Sequence, residues 1–237
     1  MKLEIGTNDH FEVRNEKYSA AIAGSFSVLY LSDLHFNRNS NAIALKMISR
    51  INQLDPDIIL LGGDYVDFKT QLVHLETLLK SISHRDNVFA IAGNHDYAFG
   101  VDTIRKMMEV HKIGWIENSS VNITVKNTSV QIDGTQPSAH SNTSDFSILC
   151  LHHPVDIIRF KQKYNLVFAG HLHGCQLVFW QNEKGLYPGR LLFKWNMLKK
   201  EIDNAHFYIS KGLGGRVPLR FNCSKEMVLV EVKGHEK

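Results

Sequence analysis

Short runs of Val, Ile, Leu and Phe punctuate this chain at Val28 to Leu31, Ile58 to Leu61, Val88 to Ala92, Phe146 to Leu151 and Leu166 to Ala169. Each is too short for a buried helix and reads as a strand covered on both faces. Between them, apolar positions recur at helical spacing over Ala42 to Leu54, Leu72 to Ile82, Asp102 to Lys112 and Val155 to Tyr164. In the first of these, Ile43, Met47, Ile48 and Ile51 fall on one face. Strands alternating with helices predict crossover units around a central sheet.

The remaining pattern differs. Ser120 to Lys126 and Ser129 to Asp133 are β-rich on either side of the turn-prone Asn127, and Leu177 to Trp180, Ala205 to Ile209 and Met227 to Val232 are also strand-like. These predict a second, more antiparallel sheet. The expected fold class is therefore α/β, a four-layer α/β/β/α sandwich with two central mixed sheets. Gln136 to Asp145 reads as a polar loop and Asn182 to Asn204 as a long insertion of aromatic and basic character. No repeat or interdomain linker interrupts the pattern, so a single domain over residues 1–237 is expected.

Composition sharpens this picture at three points. Hydrophobic residues at 43% and charged residues at 22% are enough to build a core, which excludes extensive disorder. The net charge of +3 suits an anionic substrate but lacks the clustered basic footprint of a nucleic-acid binder, so no stable nucleic-acid partner is expected. Cys150, Cys175 and Cys223 are an odd number without close pairing, which fits a reducing compartment. With no stretch of 18 apolar residues and no signal-like segment around Met1 to Phe11, the expected location is cytoplasmic, with membrane association left open.

Thirteen histidines change the picture more. Every one of the five apolar strands ends in a group able to bind metal: Asp33 and His35, Asp64, Asn94 and His95, His152, and His171 with His173. The carboxyl ends of strands in open α/β sheets are where ligands bind, so these donors should converge in one cleft. The count suits two ions rather than one, with the Asp64 carboxylate as bridge. Oxygen and imidazole donors without thiolates suit Mn, Fe, Zn or similar ions. The i,i+2 spacings of Asp33 with His35 and His171 with His173 would put both side chains on one face of an extended chain. Gly62, Gly63, Gly93, Gly170 and Gly174 flank these positions, as close backbone approach to an ion or phosphate requires. A two-ion site of this kind serves phosphoester hydrolysis best.

The motifs D-L-H at 33–35, G-G-D at 62–64, G-N-H-D at 93–96, H-H-P at 152–154 and G-H-L-H-G at 170–174 resemble the calcineurin-like metallophosphoesterase signature in order and spacing. The resemblance covers about Phe26 to Gly174. The ending from Ile209 to Glu226, ISKGLGGRVPLRFNCSKE, resembles the YkuE/YaeI type of bacterial phosphodiesterase, a branch similar to UDP-diacylglucosamine pyrophosphohydrolases. It implies that Asp33, His35 and His173 hold one divalent ion, that Asn94, His152 and His171 hold the other, and that Asp64 is shared. Manganese is the first expectation for both ions, with Fe, Zn or Mg as alternatives. His95 is implied as the catalytic group facing the phosphoryl oxygens, with Asp96 orienting its ring. A metal-bridging hydroxide would attack a phosphodiester or pyrophosphate. The substrate implied is a phosphate-containing small molecule or lipid, with a lipid-linked or nucleotide-sugar pyrophosphate first and a cyclic-nucleotide or nucleic-acid phosphodiester second. Two departures stand out. Cys175 replaces a glycine common in this branch, and YVDF after Asp64 lacks the Arg-Gly of the Ser/Thr protein phosphatases, which argues against that activity.

Each motif alone has an ordinary reading, since an Asp at a strand end is more often a turn or cap residue. Their joint occurrence in order does not. Asp67, His74, His84, His111 and His140 fall outside the pattern and read as surface or loop residues, and His10 and His235, near the termini, carry no functional reading. His153 is expected beside the ligands or facing substrate, and Cys175 as a small buried filler. Leu186 to Leu198, LYPGRLLFKWNML, reads first as part of the second sheet plus a loop. Its functional alternative is an apolar and basic lip able to make peripheral contact with a membrane. A non-catalytic scaffold of the same fold, as in the retromer complex, is the alternative to an enzyme; a complete ligand set with His95 argues against it. Oligomeric state is not readable from the pattern.

Overall fold

The computed structural model describes residues 2–5, 9–135, 144–155, 163–215 and 217–235. Its centre is a pair of six-stranded mixed sheets. The first runs, in spatial order, Glu12–Ala20, Glu226–Gly234, Phe26–Leu31, Ile58–Leu61, Val88–Ala90 and Gly114–Trp115. The second runs Lys199–Ile202, Ala205–Ile209, Leu166–Ala169, Phe146–Cys150, Thr128–Gly134 and Ser120–Val125.

The apolar runs are continuous because both faces of the central strands are covered. In Phe26–Leu31, Val28 and Tyr30 face the second sheet, whereas Leu29 and Leu31 face the helices; Ile58 and Leu60 divide from Ile59 and Leu61 in the same way. The helices Asn41–Leu54, Leu72–Ile82 and Val101–Val110 cover the outer face through Ile43, Met47, Ile51, Leu75, Leu79, Ile104 and Met108. Ile48, expected on the same face, is partly buried against that core. Full burial of each such side chain contributes about 1.5–3 kcal/mol, so Met47→Asp would break the docking of the first helix. That helix ends where Asp55 turns left-handed and donates its N–H to the Ile51 carbonyl at 2.9 Å, one residue before Pro56.

Between the sheets, the Tyr30 ring stacks on Phe168 and its hydroxyl donates to the Leu151 carbonyl at 3.0 Å, so the buried phenol is satisfied. Gly62 makes room for this ring, since a Cβ there would collide with it.

Two expectations about strands need correction. The three central pairings of the second sheet are parallel and only its two outer pairings are antiparallel. The run Met227 to Val232 belongs to the first sheet, antiparallel to Phe26–Leu31 and parallel to Glu12–Ala20. Its composition gives the reason. Met227 and Leu229 enter the helix-side core while Val228, Val230 and Val232 enter the core between the sheets, which only a central strand can do. The segment from Leu177 forms a separate hairpin, Val178–Asn182 with Gly185–Pro188, and the short helix Gly189–Leu192 follows it. Of the insertion, only Lys199–Ile202 joins the second sheet. Trp195 and Met197 pack on that sheet's outer face beside Tyr164. The expected helix from Val155 to Tyr164 and the loop from Gln136 to Asp145 lie largely outside the described residues, as does His140. No helix among the described residues is long and apolar enough to cross a membrane.

Candidate metal centre

Five loops, each leaving the carboxyl end of a central strand, meet at one rim of the two sheets. Three come from the first sheet, after Leu31, Leu61 and Ala90, and two from the second, after Cys150 and Ala169. The expected ligands therefore lie across the seam between the sheets, and each sheet alone carries only part of the set.

The loops are tied together by backbone hydrogen bonds. Asp33 N–H donates to the Gly63 carbonyl at 2.9 Å and His35 N–H to the Asp64 carbonyl at 3.0 Å. Within these loops Asp33, His35, Asp64, His171 and His173 have φ between 40° and 68°. A non-glycine residue pays about 1–3 kcal/mol for such a conformation, so the surrounding fold must impose it. This corrects the extended-chain reading of the i,i+2 pairs: convergence comes from left-handed turns rather than strand alternation. Glycines make the turns possible. A Cβ at Gly93 would collide with the Asp64 carboxylate, one at Gly170 with Ser32 and Asp33, and one at Gly212 would stand 2.8 Å from Asp33 Cβ and 3.1 Å from His173 Nδ1.

The side chains form three overlapping groups in which one donor atom of each residue lies within 4.8 Å of the others: Asp33 with His35 and His173, His35 with Asp64 and His95, and Asp64 with His152 and His171. Asp64 Oδ2 stands 3.5 Å from His35 Nε2 and 3.3 Å from His152 Nε2, while Oδ1 accepts the His95 N–H at 2.8 Å. Asn94 Oδ1 lies 3.0 Å from His152 Nε2, and His171 Nδ1 lies 3.2 Å from the same atom. All seven expected ligands and His95 are thus brought together.

Neighbouring groups decide which imidazole nitrogen faces inward. His152 Nδ1 is held by the Gly62 carbonyl at 2.8 Å and His35 Nδ1 by Asp67 Oδ1 at 2.9 Å, which leaves both Nε2 atoms to the centre. His35 Nε2 is buried with no hydrogen-bond partner. A buried nitrogen lone pair aimed at a carboxylate is costly unless a cation or proton lies between them, and imidazole and carboxylate donors without thiolate fit a divalent cation there.

Charge distribution supports the same fit. Burial pushes the Asp64 carboxyl up, but His152 and His35 outweigh it and hold Asp64 down at about 2. Burial lowers His152, yet the Asp64 and Asp33 carboxylates carry it up to about 9. Partial burial and neighbouring imidazoles lower His171 and His173 to about 4, so both rings are neutral at pH 7 and each keeps a lone pair that could meet a cation. The centre opens to solvent on the side of Asn94, which is exposed, and His95, whose side chain is 27% exposed.

Asp96 does something other than expected. Its carboxylate is fully buried and accepts the backbone N–H groups of Asp64 (2.7 Å), Gly93 (2.8 Å) and Tyr65 (3.1 Å), so both oxygens serve the Asp64 turn. Burial raises Asp96 to about 6, against the three N–H donors that favour its charged form. Asp67, read from the sequence as a loop residue, is the His35 partner; its position three residues after Asp64 was the available signal. The exposed His153 ring lies with its centroid 3.4 Å from that of His171, beside the ligands as expected.

The sequence profile of the calcineurin-like phosphoesterases matches residues 26–175. The chain belongs to that family. The phosphoesterase is a hydrolase of a family that uses divalent metals and acts on phosphate-containing substrates. It is 28% identical to the phosphodiesterase YaeI of Escherichia coli, over 89% of this chain and 83% of that protein. It is 26% identical to the UDP-2,3-diacylglucosamine pyrophosphatase LpxG of Chlamydia trachomatis, over 86% and 82% respectively. Among solved structures, a 5'-nucleotidase precursor from Thermus thermophilus superposes on it with a TM-score of 0.51 at 11% identity, covering 80% of this chain and 49% of that one. This last likeness speaks to the fold alone.

Proposed function

We propose that this phosphoesterase hydrolyses a phosphodiester or pyrophosphate at a dinuclear site, with Asp33, His35 and His173 around one cation, Asn94, His152 and His171 around the other, and Asp64 between them. The observation that carries the reading is Asp64 Oδ2, which stands 3.5 Å from His35 Nε2 and 3.3 Å from His152 Nε2 and so joins two separate donor groups. Two divalent cations, manganese first among the candidates, would acidify a water and neutralise charge on the attacked phosphoryl group.

The protein's own residues supply the rest. His95 donates its backbone N–H to Asp64, which fixes its loop, and its ring stands at the solvent side where a phosphoryl oxygen would enter. In that position it stabilises charge or protonates the leaving oxygen. Asp96 and Asp67 are positioning residues, one for the Asp64 turn and one for His35. His153, exposed against His171, faces incoming substrate.

The likeness to a UDP-2,3-diacylglucosamine pyrophosphatase supports a lipid-bearing nucleotide-sugar pyrophosphate as the first choice of substrate over a cyclic nucleotide or nucleic acid. A panel of UDP-2,3-diacylglucosamine, a cyclic nucleotide and single-stranded DNA tests this choice. The highest kcat/KM is expected for the lipid-bearing pyrophosphate; a higher value for either other class would overturn the choice of substrate and leave the reaction type intact.

A further inference from the structure

The hairpin Val178–Asn182 with Gly185–Pro188 and the helix Gly189–Leu192 carry an unusual surface. Leu191 is 73% exposed, Leu192 80% and Phe193 47%, three consecutive large apolar side chains. Trp180, also half exposed, stacks flat on Tyr187 across the hairpin with ring centroids 5.0 Å apart. Isolated exposed apolar residues are ordinary, but a contiguous run marks an interaction surface. The run is bracketed by Arg190 and by Lys194, whose Nζ lies 5.0 Å over the Trp195 ring; the hairpin turn is Glu183 and Lys184, both exposed, so the three cations outnumber the one acid on this rim.

This surface is fixed in place rather than loose. Leu186 and Asn196 exchange hydrogen bonds at 2.8 Å, N–H to carbonyl and side-chain amide to carbonyl, closing the base of the loop that carries the apolar run. Arg190 Nε donates to the Lys184 carbonyl at 2.7 Å, which joins the helix to the hairpin turn. It also abuts the metal centre. Gly189 packs so closely on Cys175, two residues from His173, that a Cβ there would collide with the thiol. Gln176 Nε2, in the same turn, donates to the Val217 carbonyl at 2.7 Å, and Val217 is itself exposed.

We propose that this lip docks the enzyme on an anionic lipid bilayer, with Leu191, Leu192, Phe193 and Trp180 entering the acyl boundary and Arg190, Lys184 and Lys194 meeting the headgroup phosphates. The chemistry is that of interfacial segments, in which apolar burial supplies affinity and basic residues supply preference for negative lipid. The cations on the lip argue for a membrane over an apolar protein partner, because they complement phosphate. The inference deepens the proposed function: docking here would bring the Cys175 turn and the adjoining centre to the height of a lipid-linked pyrophosphate.

Co-sedimentation with phosphatidylcholine vesicles, with and without phosphatidylglycerol, tests the docking without reference to catalysis. Wild type is expected to pellet with the anionic vesicles, less so at high salt, and weakly with phosphatidylcholine alone. Leu191→Ser and Leu192→Ser should each weaken partitioning by about tenfold, the scale of burying one aliphatic side chain. Val110→Ser, equally exposed but on a distant helix, should leave it unchanged. Turnover of bis-p-nitrophenyl phosphate should be the same in all three variants, so loss of docking and loss of the hydrolytic site read out separately. No pelleting by wild type, or equal pelleting by Leu192→Ser, would overturn the proposal. So would a dimer in light scattering that Leu192→Ser dissolves, since the surface would then be covered by a second copy.

Discussion

His35 Nδ1 and Asp67 Oδ1 are 2.9 Å apart, and this pairing turns His35 Nε2 toward Asp64. A carboxylate on the outer nitrogen of a ligating imidazole fixes its tautomer and raises its basicity. Asp67→Ala should therefore weaken divalent-metal affinity by about 10- to 100-fold. Hydrolysis should return toward wild type at saturating metal. Calorimetric metal titration together with the metal dependence of the rate checks both parts.

His152 carries the second testable consequence. Held at about 9 by Asp64 and Asp33, it is protonated at pH 7 in the metal-free protein. Metal binding must displace that proton, whereas His171 and His173 are already neutral. Calorimetry in buffers of different ionisation enthalpy at pH 7.5 should register at least one proton released per protein, and His152→Gln should reduce that release by about one.

Acid sensitivity follows from the same residues with the opposite sign. His171 and His173 titrate near 4 in the folded chain but near 6.5 when unfolded, so the unfolded state binds more protons between those values. Stability of the metal-free protein should fall as pH drops from about 6.5 to 4. Asp96, raised to about 6, binds its proton more tightly when folded and opposes part of this fall, but it is one group against two. Below pH 4 the depressed Asp64, at about 2, adds a further loss. Urea unfolding across this range checks the slope, which His171→Gln should flatten.

Removing Asp96 tests the turn that positions Asp64. Asp96→Ala strands the N–H groups of Asp64, Gly93 and Tyr65 in a buried site, at about 1–3 kcal/mol for each. The variant should lose more stability than Asp96→Asn, which keeps one acceptor oxygen for one or two of the three donors. Chemical denaturation gives the ranking, and metal content should fall in the same order.

Much of this architecture was legible in the chain. The strands ending at Leu31, Leu61 and Leu166 to Ala169 announced themselves because burial on both faces requires continuous apolar runs. The Asp, Asn and His positions that converge were legible because they follow those runs directly. What escaped was tertiary. The sheet membership of Met227 to Val232 depends on which cores its two faces meet, and a run apolar on both faces fits either sheet. The left-handed turns at Asp33, His35, Asp64, His171 and His173 are imposed by the surrounding fold against local preference, so propensity points away from them. Asp67 escaped because a lone carboxylate in a loop has no pattern until His35 is placed beside it. Adjacency to His95 in sequence suggests that Asp96 orients that ring, but a side chain at a helix start can point elsewhere, and the Asp96 carboxylate accepts the Asp64, Gly93 and Tyr65 N–H groups.

The most direct test of the central claim is metal content by elemental analysis, paired with bis-p-nitrophenyl phosphate hydrolysis, for wild type, Asp64→Ala and His95→Ala with Mn, Zn, Fe or Mg supplied. Two ions per chain are expected in active wild type, with both metal and activity lost in Asp64→Ala. His95→Ala should keep its metal while its rate falls by about 10²- to 10⁴-fold. A wild type that holds metal yet cleaves neither diesters nor pyrophosphates with any of these ions, or an Asp64→Ala variant that retains two ions and full activity, would contradict the account.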